Sequence, residues 1–241
     1  MYNFIQKLKK EEEHKNSHVI SVPIKTITQE FPILDKIWTE YKGLVNYGTH
    51  FNEQTELLNN TINNNYILKE FRDEVMNYPD KEKYDCFEKH QIIDNKLFFP
   101  IKKEFNNVWH IRNAKYQHLI QDQSFPNYYW REKEIEELYK IGTDARGNFY
   151  YPPGGFREWH TNRIHIPGYR MYFVACVGEG ESYFNYVNPV TDKVINLKDK
   201  NEYANIFEVK NDYNNALWHS IYSEKHRFSL GFNITNIDAI N

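Results

Sequence analysis

A chain of 241 residues is long enough to bury a substantial core without disulfide or metal staples. Aromatic residues make up 17 %, which supplies ample core material, and a net charge of −3 gives no basic footprint for nucleic acid. Two cysteines, Cys86 and Cys176, stand far apart with no Cys-x-x-Cys pair. That excludes a zinc ribbon or a thioredoxin-type motif and favours a reduced chain over a disulfide.

The N-terminal "MYNFIQKLKKEEEHK" reads as a short helix with a charged surface and has no apolar run, so the expectation is that it is not a signal peptide. No segment approaches the roughly 20 apolar residues of a membrane span. A cytoplasmic chain without membrane contact is therefore the expectation. "HVISVPIKTI" alternates like a strand. "FNEQTELLNNTINNNYILKEFRDEVMNY" has helical periodicity broken by an Asn-rich patch. "WREKEIEELYKI" predicts a helix ending near Gly142, with Ile135, Leu138 and Ile141 at three-residue steps.

After Gly147 short β-rich runs alternate with turn signals. The runs are "NFYYP", "FREWH", "GYRMYFVACV", "ESYFNYV", "KVINL", "NIFEV", "ALWHS" and "HRFSLGFNIT". Such spacing predicts an all-β sandwich or barrel, and about eight strands fit a double-sheet jelly roll of the cupin kind. The expected organisation is α+β and mainly β. A helix-rich portion over 1–145 is expected to pack on a jelly-roll core over 146–241, the two counting as one integrated domain because no linker separates them.

His160 and His219 each follow a tryptophan. Neighbours on a strand face opposite ways, so an inward histidine places its tryptophan outward. Imidazole suits iron, zinc and copper alike, so two histidines do not select a metal. In "HRFSLGFNI", Phe228, Leu230, Phe232 and Ile234 share one face, and Arg227, Ser229, Gly231 and Asn233 share the other. An inward Arg227 needs a partner, for which a carboxylate ligand gripped by the guanidinium is the natural expectation, with Ser229 beside it. Arg170 and Tyr172 share a strand face, which either places Tyr172 in the pocket lining and Arg170 against cosubstrate or substrate, both as cofactor-binding candidates, or serves cross-strand pairing. His110 and His165 find no partner pattern, and His226 falls on the apolar register and reads as structural.

"NFYYPPGG" before His160 and "HSIYSEKHRFS" from His219 together resemble the Fe(II)/2-oxoglutarate-dependent oxygenases over about residues 147–235. In that family a His-x-Asp or His-x-Glu pair and a distal histidine bind iron on a double-stranded β-helix. A basic residue then binds the far carboxylate of 2-oxoglutarate. Plant-type members carry Asn-Tyr-Tyr-Pro-Pro before the first ligand and Arg-x-Ser after the second. The resemblance implies His160 and His219 as iron ligands. It implies Arg227 and Ser229 for the 2-oxoglutarate tail, assisted by Tyr150 or Tyr151. It also implies dioxygen as co-reactant, with hydroxylation coupled to decarboxylation of 2-oxoglutarate to succinate.

Two departures stand out. The acidic third ligand is Asn162 here, and the step from His219 to Arg227 is short. A neutral amide oxygen is a weaker donor to a hard cation than a carboxylate. Asn162 ligates through its carbonyl oxygen, or water takes the position as in the aspartyl/asparaginyl β-hydroxylase branch, or metal and activity are lost. Glu158 and Asp192 are the neighbouring carboxylates. The rival readings are a non-catalytic jelly-roll binding protein and a cupin enzyme that uses another metal without 2-oxoglutarate. Substrate and oligomeric state are left open by the residues.

Overall fold

A computed structural model describes residues 1–46, 72–73, 76–77, 91–93, 96–98, 130–151, 153–162, 168–210 and 216–236. The segment around the Asn-rich patch, His110, His165 and the side chain of Glu158 lie outside the described residues.

Helix α1 spans Tyr2–Lys10 and buries Ile5 and Leu8, three residues apart on one face. Its last turn carries Lys7, Lys9 and Lys10, which suits the negative end of the helix dipole. Strand β1 (Val19–Pro23) follows, then α2 (Ile24–Thr28) and α3 (Pro32–Asn46). The expected strand through "PIKTI" is corrected here, since Ile24 to Thr28 are helical. Proline ends the ladder at Pro23, the Ile24 N–H turns to the Glu202 carbonyl at 2.9 Å, and Ile24 and Ile27 then bury at helical spacing. In α3 the buried Leu34, Ile37, Trp38, Tyr41 and Val45 recur at steps of three and four, one apolar stripe of an amphipathic helix.

A short hairpin pairs β2 (Gln91–Ile93) with β3 (Lys96–Phe98). Helix α4 covers Glu132–Lys140, as its periodicity predicts, and the Glu134 carboxylate accepts the Arg131 backbone N–H at 3.3 Å. Eight strands then follow. They are β4 (Thr143–Tyr151), β5 (Gly155–His160), β6 (Gly168–Val177), β7 (Ser182–Val187), β8 (Val194–Lys198), β9 (Tyr203–Val209), β10 (His219–Ser223) and β11 (His226–Thr235). β4 runs continuously through residues 145 and 146.

These strands form two antiparallel sheets, β1-β9-β6-β11-β4 and β5-β10-β7-β8. From β4 onward successive strands alternate between the two sheets except at the β7–β8 hairpin, which stays in the smaller sheet, and this order makes the fold a β-rich, cupin-like jelly roll. The N-terminal β1 extends the larger sheet beside β9. The helices cover that sheet's outer face: Leu34, Ile37 and Trp38 of α3 share one core with Phe173, Phe228, Leu230 and Phe232. Among the described residues no helix is long and apolar enough to cross a membrane.

Candidate metal and anion site

A solvent-open cavity lies between the two sheets. The larger sheet contributes Phe149, Tyr151, Arg170, Tyr172, Arg227 and Ser229; the smaller contributes Arg157, His160, Phe184, His219 and Ile221. Asn162 enters from just past β5.

His160 and His219 sit directly opposite each other on the neighbouring strands β5 and β10, and their ring centroids are 4.1 Å apart. Their tryptophans point the other way. Trp159 and Trp218 pack with Val187 and Val194 in a separate apolar cluster. The His219 Nδ1–H donates to the Leu217 carbonyl at 3.0 Å, which leaves the Nε2 lone pair facing the cavity. Burial holds the His219 pKa down at about 3, only partly opposed by that carbonyl bond, so the ring is neutral in ordinary buffers. The Asn162 Nδ2–H donates to the His219 Nε2 at 3.3 Å. Turning the amide over would present its oxygen instead.

The ladder slips by one residue between β5 and β10: His219 pairs His160, whereas Ile221 pairs Arg157. Without the slip, residues three apart on a strand would face opposite ways. The bulge lets Arg157 and His160 line the same cavity, which simple alternation hides.

Arg227 is almost fully buried, with 1 % of its surface exposed. The expectation that a ligand would be its main partner is corrected by the structure. Its Nε donates to the Asp199 carboxylate at 2.8 Å, and its Nη1 to the Ser229 hydroxyl at 3.3 Å. Asp199 also accepts from the Ser182 hydroxyl at 2.7 Å and the Asn205 amide at 2.9 Å. Burial disfavours the Arg227 charge, but Asp199 outweighs it and keeps the guanidinium protonated. Among the described residues its buried Nη2 has no hydrogen-bond partner. What remains at this end of the cavity is one buried cationic donor beside a hydroxyl.

Arg170 and Tyr172 do face the cavity. The Arg170 Nε donates to the Tyr172 hydroxyl at 3.1 Å, and its Nη1 donates to the Asn233 side-chain oxygen. Burial would raise the Tyr172 pKa, yet Arg170, Arg157 and the Asn162 hydrogen bond together bring it below its ordinary value. The two expected tyrosines separate. Tyr151 lies in the cavity under the Arg227 guanidinium, 5.3 Å from ring centroid to Cζ. Tyr150 is corrected out of the site: it faces the helix-side core, stacks on Phe228 and hydrogen-bonds the His226 Nδ1 at 2.8 Å. Asp192 sits in the exposed turn between β7 and β8 and does not line the cavity.

As a metal seat the cavity offers two imidazoles, one with its tautomer fixed, and one neutral amide. That donor set fits a divalent first-row metal ion but brings no carboxylate of its own. Among the described residues, the one group of three or more His, Cys, Asp or Glu ligand atoms close enough to share an ion is Glu11, Glu13 and His14, remote from this cavity. Residue-by-residue reading missed Arg157, Phe149, Phe184 and Asp199. The strand pattern of "NFYYP" puts Phe149 within reach, but Arg157 enters only through the bulge, and Asp199, in the turn-like "KDKNE", carries no local signal of its role.

No family model and no curated protein matches the chain. Solved structures similar to it include a prolyl-4-hydroxylase from Pseudomonas putida, at 15 % identity and TM-score 0.31 over 39 % of this chain and 49 % of that one. A 2OG-Fe(II) oxygenase family protein from Burkholderia pseudomallei shares 10 % identity at TM-score 0.29, over 58 % of this chain and 61 % of the other. An RmlC-like cupin from Shewanella frigidimarina shares 15 % identity at TM-score 0.24, over 42 % and 73 %. The chain thus spans about half the length of the prolyl-4-hydroxylase it resembles. The jelly-roll assignment rests on the strand order, not on these likenesses.

Proposed function

We propose that this protein is an Fe(II)/2-oxoglutarate-dependent oxygenase whose jelly roll is a double-stranded β-helix and whose product is a hydroxylated substrate. One observation carries the reading: a pair of adjacent inward histidines lines the same cavity as Arg227, whose buried Nη2 has no hydrogen-bond partner among the described residues. His160 and His219 would hold the iron, with Asn162 turned to offer its oxygen or water in its place. Arg227 Nη2 and the Ser229 hydroxyl would bind the far carboxylate of 2-oxoglutarate. When bound, iron, 2-oxoglutarate and dioxygen together supply the oxidant, yielding succinate and carbon dioxide. The chain's own contribution is placement. The Leu217 carbonyl keeps the His219 lone pair toward the cavity, and Asp199 keeps Arg227 charged and fixed. The aromatic walls Phe149, Phe184 and Tyr151 limit water around the seat.

A second reading is favoured by one contact. The Asn162 amide N–H points at the His219 Nε2, the very lone pair a metal would need. On that reading the chain is a non-catalytic jelly-roll binding protein.

Anaerobic addition of Fe(II) and then 2-oxoglutarate separates the two. A visible charge-transfer band that weakens in Arg227→Gln and vanishes in His160→Ala and His219→Ala supports the oxygenase. Failure to bind both iron and 2-oxoglutarate leaves the binding-protein reading.

A further inference from the structure

The cavity has a second cationic end that the iron and 2-oxoglutarate reading does not use. On the paired strands β6 and β11, Arg227 sits opposite Cys176, whereas Arg170 sits opposite Asn233. Those positions are six residues apart along β11, about 20 Å of strand. The two guanidiniums therefore enter from opposite ends, and the row between them holds Ser229, Gly231 and Tyr172.

Arg170 differs from Arg227 in one respect. Arg227 has Asp199; Arg170 is bonded only to two neutral oxygens, those of Tyr172 and Asn233. Among the described residues no carboxylate pairs with it. A guanidinium has five N–H donors, and the two bonds leave the others for the cavity. A charge set into a half-buried pocket without a counter-ion is costly, and an arriving anion removes that cost. Arg157 lines the same cavity, with its guanidinium 5.8 Å from the Phe149 ring. The positive field of this pair also reaches its neighbours: both arginines contribute to the lowered pKa of Tyr172 and of His219. Between the charges the walls are aromatic. Phe149 and Tyr172 meet edge to face at 6.3 Å, and Phe184 stacks on His219.

We propose that the Arg170 end is the substrate seat, and that the substrate is a small organic acid. Its carboxylate meets Arg170, with Arg157 adding charge, and its carbon skeleton lies on Phe149 and Tyr172 beside the histidine pair. The identification as a substrate rests on the oxygenase reading; the anion seat itself does not. The seat lies between the two sheets, which favours a small acid over a folded protein or duplex.

The test is calorimetric, on the full chain held anaerobic with Fe(II) and saturating 2-oxoglutarate. The probes are benzoate and phenylacetate, with benzamide as the neutral control and phenyl phosphate as the alternative anion. Benzoate or phenylacetate should bind alongside 2-oxoglutarate, and benzamide should not. Arg170→Gln keeps hydrogen bonds to Tyr172 and Asn233 within reach but removes the charge, and should weaken the carboxylate by about tenfold or more. Arg170→Lys should restore part of that loss, and 2-oxoglutarate affinity should be unchanged in both. Equal binding of benzamide, indifference to Arg170→Gln, mutual exclusion of the probes and 2-oxoglutarate, or no saturable carboxylate binding overturns the proposal. Tighter binding of phenyl phosphate overturns the carboxylate assignment. If the chain binds no 2-oxoglutarate, the same titrations without it decide the anion seat alone, and the oxygenase reading falls separately. The amide control needs no variant, so poor folding of Arg170→Gln leaves the proposal open to refutation.

Discussion

The two faces of β11 solve opposite problems with alternate residues. Phe228, Leu230, Phe232 and Ile234 point into the helix-covered core and are fully buried among apolar neighbours. Arg227, Ser229, Gly231 and Asn233 lie on the face between the sheets, where they place a charge, a hydroxyl, bare backbone closely covered by Tyr172, and an amide. The first face is complete within the protein. Among the described residues the second leaves the buried Arg227 Nη2 without a hydrogen-bond partner. A strand whose one face is finished and whose other is not marks where the fold ends and ligand binding begins.

The comparison predicts that damage to the first face costs stability alone. Phe232→Ala, which removes a ring packed edge-on against Phe173 and Trp130, should lower unfolding free energy by about 3–5 kcal/mol. In chemical denaturation the folded fraction that remains should keep its ligand affinity. Loss of affinity beyond the loss of folded protein would break the separation of the faces.

On the second face the charge pair dominates. Asp199→Leu strands a buried guanidinium and should also cost about 3–5 kcal/mol. Arg227→Met should cost less, because Asp199 keeps its bonds to Ser182 and Asn205. Equilibrium unfolding of both variants checks the asymmetry, and an equal cost would contradict it.

Acid should then act through His219. Its folded pKa is about 3 against an ordinary 6.5. Above pH 6.5 both folded and unfolded rings are neutral, and the group contributes no pH dependence. As pH falls below 6.5 the unfolded ring takes up a proton that the folded ring refuses, so stability falls down to about pH 3. The slope approaches about 1.4 kcal/mol per pH unit. In His219→Gln this component should vanish from the stability–pH curve relative to the parent chain; identical slopes in the two would refute it.

Gly231→Ala sharpens the comparison at the smallest scale. A Cβ there would stand 2.9 Å from the Tyr172 ring and 2.7 Å from the Arg146 carbonyl. The expected cost is about 1–3 kcal/mol, accompanied by weaker anion binding as Tyr172 is displaced from Arg170. Thermal melts and benzoate titration on the same samples measure the two effects separately.

How far residues alone reach is clear on β11 itself. Its two-residue alternation places Phe228 in the core and Arg227 at the cavity, and the same rule separates each histidine from its tryptophan. Such inferences succeed because strand facing is set by backbone geometry between neighbours. They fail at Tyr150 and Arg157. In "NFYYP" two adjacent tyrosines were equal candidates, and only the pairing of Arg227 with Tyr151 sends Tyr150 to the other face. Arg157 reaches the cavity through a bulge whose position depends on the partner strand. "PIKTI" failed for a related reason, since an apolar pair three apart serves a helix as well as a loosely alternating strand.

The sequence by itself determined the jelly-roll rhythm of the second half, the amphipathic α4, the two-faced β11 and the order His160, His219, Arg227, Ser229. All of these follow from local periodicity and turn chemistry. Only the tertiary structure decided that Arg227 is held by Asp199, 28 residues earlier in the chain. It alone brought His160 and His219 within 4.1 Å and set Arg170 at the far end of their cavity. The physical reason is that a buried charge must find its partner through space. Which strands lie side by side is settled by burial summed over two whole sheets, which no short stretch of residues contains.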